Sequence, residues 1–105
     1  MKLIKAVIRP EKEADVIQGL EQAGLSGLTK WDVLGRGRQR GIQVGATTYS
    51  ELSKLCLMLV VKDEEAPKAV EAILASGKTG HPGDGRIFVS DVKEAYTIGT
   101  GKSDA

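Results

Sequence analysis

Seven consecutive residues, Gly35-Arg36-Gly37-Arg38-Gln39-Arg40-Gly41, set three guanidinium groups among three glycines. Glycine lets the backbone take positive φ and approach a ligand closely. Successive N–H groups in such turns form anion-binding nests, and arginine adds forked donors suited to phosphate or carboxylate. A solvated basic turn would need no alternating glycines, so the pattern points to a phosphate-like anion. A second segment, Thr79-Gly80-His81-Pro82-Gly83-Asp84-Gly85-Arg86, also combines glycine backbone, a hydroxyl, an acid and an arginine. Spacing does not decide whether the two loops meet within one chain or across an interface.

Sharper motifs fail on their own terms. Gly77-Lys78-Thr79 resembles the end of a Walker loop, but Ala72 stands where that loop needs glycine, and the segment follows a helix instead of opening one. Arg40 replaces the third glycine of a dinucleotide fingerprint. Cys56 is the only cysteine and His81 the only histidine, so no Cys–His or Ser–His–Asp arrangement is evident. Cys56 reads as core. His81 reads as a structural or phosphate-contacting loop residue. Trp31 reads as packing, and a lone tryptophan without neighbouring aromatics argues against nucleic-acid stacking.

The totals suit one domain spanning residues 1–105. The net charge of +1 supplies no bulk field toward nucleic acid or membranes. Lys2, Lys5 and Arg9-Pro10 break the first apolar stretch, so no signal peptide is expected. No apolar run suits a membrane span, and the cytoplasm is the expected location.

Around the loops, the elements follow from periodicity. Residues 2–9 read as a strand. Residues 11–23 read as a helix with Glu11 and Glu13 in its first turn, the stripe Val16, Ile17, Leu20 and Ala23, and Gly24 as its stop. Residues 28–34 read as a strand. Residues 35–53 have no sustained period and read as a long arm that orders on binding. A strand opens at Lys54 and ends near Lys62. Asp63, Glu64 and Glu65 start a second helix, with Ala66, Ala69, Val70, Ile73 and Leu74 on one face and Gly77 at its end. Residues 78–85 form a loop, 86–92 a strand, and 96–98 a short strand. The result is an α+β, ferredoxin-like βαββαβ fold, an antiparallel sheet with two helices on one face. Leu55, Leu57, Leu59 and Val61 alternate with Cys56, Met58 and Val60, so both faces of that strand are apolar. Helices cover one face. The other predicts association of subunits, the alternative being that the short, polar C-terminal segment folds across it.

The chain resembles the nitrogen regulatory protein PII family over essentially its full length. The matching stretches are KAVIRPEKEADV, GLTKWDVLGRGRQRG and TGHPGDGRIFVSDV. The shortened arm, with GRGRQRGIQVG and YSELSK, is most similar to the nitrogenase-associated branch. The resemblance implies a non-enzymatic signalling trimer. ATP or ADP, with AMP a further candidate, would bind in clefts between subunits, with Mg²⁺ and 2-oxoglutarate. A T-loop (36–53) would act on a target enzyme or transporter. A second phosphate loop (78–86) and a C-terminal loop (97–102) complete the pattern. By resemblance, Gly35, Gly37, Arg38 and Gln39 form the T-loop base. Arg38 would contact phosphate, and Gln39 would help hold Mg²⁺ and 2-oxoglutarate. Gly41 and Lys54 also match the 2-oxoglutarate site, Lys54 by pairing with a carboxylate. Gly83, Asp84, Gly85 and Arg86 match the second phosphate loop, and Leu28, Thr29 and Val60 match positions around adenine and ribose. Ile42, Val44 and Tyr49 would face the partner. Nitrogenase is the first candidate target, with an ammonium transporter, glutamine synthetase or a bicarbonate transporter as alternatives. A homotrimer is expected, and assembly with a sister chain is the alternative. Neither nucleic acid nor direct membrane insertion is expected.

Departures from the family pattern bear on the ligand. Thr97 and Gly99 replace two arginines, His81-Pro82 replaces a Lys–Ile pair, Arg86 replaces lysine and Met58 stands where glutamate is common. Fewer cations predict weaker ATP binding or a preference for ADP or AMP. Tyr49 is out of register with the tyrosine that some members have uridylylated. An acylphosphatase-like enzyme shares the fold, but its phosphate loop would follow the first strand, where Arg9-Pro10-Glu11 lacks glycine. An RNA-binding module of this topology would need exposed aromatics on strands one and three, which have none.

Overall fold

The first strand, β1 (Lys2–Ile8), alternates between a sealed face and a less protected one. In the computed structural model, which describes residues 1–36, 42–44, 47–49 and 52–104, Ile4, Ala6 and Ile8 are buried while Leu3, Lys5 and Val7 are half-buried. A 3₁₀ turn, Pro10–Lys12, leads into α1 (Glu13–Gln22). Its first turn carries Glu13 and Asp15, and its inner face buries Val16 and Leu20. β2 (Thr29–Gly35) leads into the arm. Within the arm, β3 (Ile42–Val44) pairs antiparallel with β4 (Thr47–Tyr49).

The chain returns along β5 (Leu52–Val61). A 3₁₀ turn, Asp63–Glu65, precedes α2 (Ala66–Gly77), whose Pro67 sits in the first turn, where a missing N–H costs little. β6 (Gly85–Asp91) completes a four-stranded sheet of order β2-β5-β1-β6. All three pairings are antiparallel, with Ala6 opposite Leu57 on one side and Ile87 on the other. β7 (Tyr96–Thr97) and β8 (Lys102–Ser103) form a separate hairpin. This is the expected ferredoxin-like α+β fold. Among the described residues, no helix is long and apolar enough to cross a membrane.

The core lies between the helices and one sheet face. Ile4, Ala6 and Ile8 of β1 and Leu55, Leu57, Leu59 and Val61 of β5 pack with Val16 and Leu20 of α1 and Ala69 and Ile73 of α2. Each large aliphatic side chain so buried contributes roughly 1.5–3 kcal/mol. On the opposite face, neighbouring strands present Trp31, Val60 and Phe88 at 39%, 47% and 51% exposure. Cys56 shares that face yet is only 3% exposed, sitting in register between Val7 and Trp31.

Three boundaries differ from the sequence expectation. β5 begins at Leu52, two residues before Lys54, because Leu52 and Ser53 pair with Gly35 and Leu34. The arm contains a pair of three-residue strands, too short to register as a period. The C-terminal strand gains a partner in Lys102–Ser103. In α2 the stripe residue Leu74 is 56% exposed, because it lines an open groove between α2 and β6 and lies outside the core.

Candidate functional site

Two loops meet where β1 ends, β5 begins and β6 begins. Arg9, one residue past β1, donates from Nε to Asp84 Oδ1 at 2.9 Å and from Nη2 to the Pro82 carbonyl at 2.8 Å. Asp84 Oδ2 accepts the backbone N–H groups of Thr79 and Gly80, both at 2.9 Å. Its Oδ1 also accepts the Thr79 hydroxyl. These bonds, from Thr79 first and then Arg9, hold the Asp84 carboxyl far below the ordinary carboxylate range. The Thr79 hydroxyl oxygen in turn accepts the His81 N–H at 3.2 Å. The 79–84 loop is thus closed around its own carboxylate.

Lys54 joins this loop to the root of the arm. Its Nζ donates to the Gly83 carbonyl. The residue is only 9% exposed. Burial lowers its pKa, and the nearby Arg9 charge lowers it further. Among the described residues the Gly83 carbonyl is its hydrogen-bond acceptor, and an ammonium with three donors can also take a carboxylate or phosphate oxygen. Gly85 sets the junction with β1. Its φ is +106°, and a Cβ there would lie 1.7 Å from the Val7 carbonyl oxygen, so only glycine fits.

The structure therefore brings Gly35, Lys54, Gly83, Asp84 and Gly85 to one end of the sheet. Arg86 is exposed and pairs with Val7. Leu28 is half-buried against the core, and Thr29 is exposed opposite Met58. Thr29 lies four residues along β5 from Lys54, roughly 13 Å at about 3.3 Å per residue, and Val60 lies farther still. The base-contacting and phosphate-contacting candidates thus lie apart within one chain. Ile42 and Val44 lie on β3 and Tyr49 on β4, with Ile42 paired to Tyr49. Gly37, Arg38, Gln39 and Gly41 lie outside the described residues, so the expected T-loop phosphate and Mg²⁺ contacts do too.

Sequence reasoning missed Arg9, which reads as the end of a strand; its link to Asp84 spans 75 residues. It assigned Asp84 to the ligand, whereas both carboxylate oxygens are engaged within this chain. On the helix side, a groove of about 430 Å³ runs between α2 and β6. Its walls include Val70, Ile73, Leu74 and Ile87, and Lys78 and Arg86 also line it.

The sequence profile of the nitrogen regulatory protein P-II family matches residues 1–102. The chain is 51% identical over 102 residues to the nitrogen fixation nifHD1 region GlnB-like protein 1 of Methanosarcina barkeri, covering 97% of each chain. It is 50% identical over 100 residues to the nifHD region GlnB-like protein 1 of Methanococcus maripaludis, covering 95% of each. Over 107 residues it is 45% identical to nitrogen regulatory protein P-II 2 of Methanothermobacter thermautotrophicus, covering 98% of this chain and 93% of that one. With the fold and the 79–84 loop in place, the chain belongs to the nitrogen regulatory protein P-II family, alongside its nitrogen-fixation-region branch.

Proposed function

We propose that the chain is a non-enzymatic, cytoplasmic signalling subunit that binds an adenine nucleotide and a dicarboxylate at subunit clefts and acts on a target through its arm. The observation that carries this reading is the Lys54–Gly83 contact beside the Arg9–Asp84 pair. It places a buried ammonium and a glycine-rich loop at the root of the arm. ATP or ADP phosphates would lie along Gly83, Gly85 and Arg86, with Arg38 and Mg²⁺ joining from the T-loop. A 2-oxoglutarate carboxylate would pair with Lys54 and lie near Gln39 and Gly41. The base would lie against Leu28, Thr29 and Val60 of another copy, which explains why the two sets are apart within one chain.

Association through the open sheet face supplies that copy. Trp31, Val60 and Phe88 stay exposed there on three different strands. Covering them would add burial that a chain of 105 residues lacks by itself. A homotrimer is the proposed assembly. Nitrogenase is the proposed first target, since the nifHD-region relatives carry nitrogen fixation in their names.

A second reading keeps the fold and changes the ligand: a sensor of ADP or AMP controlling a different target, such as a transporter. One observation favours it. Arg9 is held by Asp84 and Pro82, and Lys54 by Gly83, which leaves exposed Lys78 and Arg86, at the two ends of the loop, as its cations without a partner among the described residues. Calorimetric titration with ATP, ADP and AMP, each with Mg²⁺ and with or without 2-oxoglutarate, separates the readings. Tight MgATP binding strengthened by 2-oxoglutarate supports the first, ADP or AMP preference supports the second, and silence toward all of them removes both.

A further inference from the structure

We propose that the open sheet face carries an anion site of its own: a small tetrahedral oxyanion, of the inorganic phosphate type, held between the Lys5 ammonium groups of associated copies. The site rests on the reading above that copies associate through this face, and it is incomplete in a single chain.

Three observations carry the proposal. First, Lys5 is central. It is the middle residue of β1, an inner strand of the sheet, with Met58 and Phe88 beside it in register on the neighbouring strands. Second, its charge is uncompensated. Lys5 is half-buried and has no hydrogen-bond or ion-pair partner among the described residues. Its charge acts on the Cys56 thiol, against the upward push of burial, so the ammonium lies over the face. Third, the face offers no acid. No residue that alternates onto it from β1, β2, β5 or β6 is Asp or Glu. A further copy brings the same face, so association adds cations and no carboxylate. Burying an ammonium without a counter-charge is costly, and a diffusible anion removes that cost. Each ammonium has three donors, and a tetrahedral oxyanion has oxygens enough to accept from three copies at once. The site is separate from the 79–84 loop. Lys5 lies three residues along β1 from Ile8, the partner of Gly85, roughly 10 Å at about 3.3 Å per residue.

Sedimentation equilibrium of the full chain, in inorganic phosphate and in chloride at equal ionic strength, tests the site. An anion bound only by the assembly raises the association constant by mass action. At phosphate about ten times its dissociation constant the rise is about tenfold, which lowers the midpoint concentration of a trimer about threefold. Lys5→Met should associate at least as tightly as the wild type in chloride and show no phosphate dependence. Lys5→Arg keeps the charge and should keep the dependence. In the wild type, the Lys5 ¹³Cε resonance should shift over the phosphate range that strengthens association, and this readout needs no variant to fold. A general effect of phosphate on burial, or phosphate binding at the 79–84 loop, would strengthen the wild type and Lys5→Met alike, and that result overturns the proposal. So does a Lys5 resonance that stays in place. Association of equal strength in both salts overturns the anion site and leaves the association reading standing. A chain that stays monomeric in both removes that reading and takes the site with it.

Discussion

Gly35 lies against the Lys54 side chain so closely that a Cβ on Gly35 would come within 3.0 Å of Lys54 Cγ. The glycine at the arm's outgoing root thus shapes the lysine at its incoming root. Gly35→Ala should push the stem aside, cost about 1 kcal/mol of stability as mild overpacking, and weaken the Lys54–Gly83 contact. Urea unfolding measures the first effect. Titration with 2-oxoglutarate in the presence of MgATP measures the second, with an expected loss of about tenfold in affinity.

Gly85 is the less tolerant position. A methyl group there would overlap the Val7 carbonyl in a backbone conformation that side chains rarely adopt. Gly85→Ala should destabilise the fold by about 3 kcal/mol or more, because β6 cannot keep its register with β1. A midpoint in urea equal to that of the wild type would contradict this.

Asp84 makes stability depend on acidity. Its folded pKa is depressed below the ordinary value near 3.8, so its contribution is complete above that value and is lost as pH falls toward the folded pKa. Asp63, paired with the N-terminal amine, is depressed too and adds loss in the same acid window. Asp84→Asn should therefore flatten part of the stability profile below about pH 4 without abolishing it. Thermal midpoints recorded from pH 7 to pH 2 test this. A variant profile parallel to the wild type throughout would show that Asp84 gives no such dependence.

The open sheet face predicts a separable defect. Phe88 and Val60 are about half exposed in the single chain. Phe88→Asp should therefore leave the circular dichroism spectrum and the subunit fold intact while breaking association. If the proposed trimer forms, sedimentation should move from that assembly toward a monomer. Nucleotide binding should fall with it if the cleft needs a second copy. Lys5, on the same face between Phe88 and Met58 in register, should act in the opposite sense. Lys5→Met removes an ammonium that association would have to desolvate, and the proposed assembly should resist dilution better.

Much of the frame was legible because it rests on local periods. The alternation of Leu55, Leu57, Leu59 and Val61 with Cys56, Met58 and Val60 gave both the strand and its two apolar faces. The stripe of Val16 and Leu20 gave the first helix. The arm's hairpin was not legible, since three-residue strands hold too few side chains to show a period. Leu74 fits the stripe of α2 yet is exposed, since a helical period does not say where a groove stays open between helix and sheet. The candidate site was legible as glycine-rich segments and not as a geometry. Arg9 and Asp84 lie 75 residues apart, and no spacing rule links a strand's last cation to a distant loop acid. Asp84 also shows that an acid in a phosphate-like loop can serve the loop itself.

The sheet order has a mechanical consequence for the arm. One of its roots, Leu52, lies on β5, which is held by β2 on one side and β1 on the other. The other root, Gly35, ends β2, which has a strand neighbour on one side only. A tug from a bound partner therefore meets unequal resistance. β2 would peel before β5 gave way, and the arm would pivot about its Leu52 end, close to the Lys54–Gly83 contact.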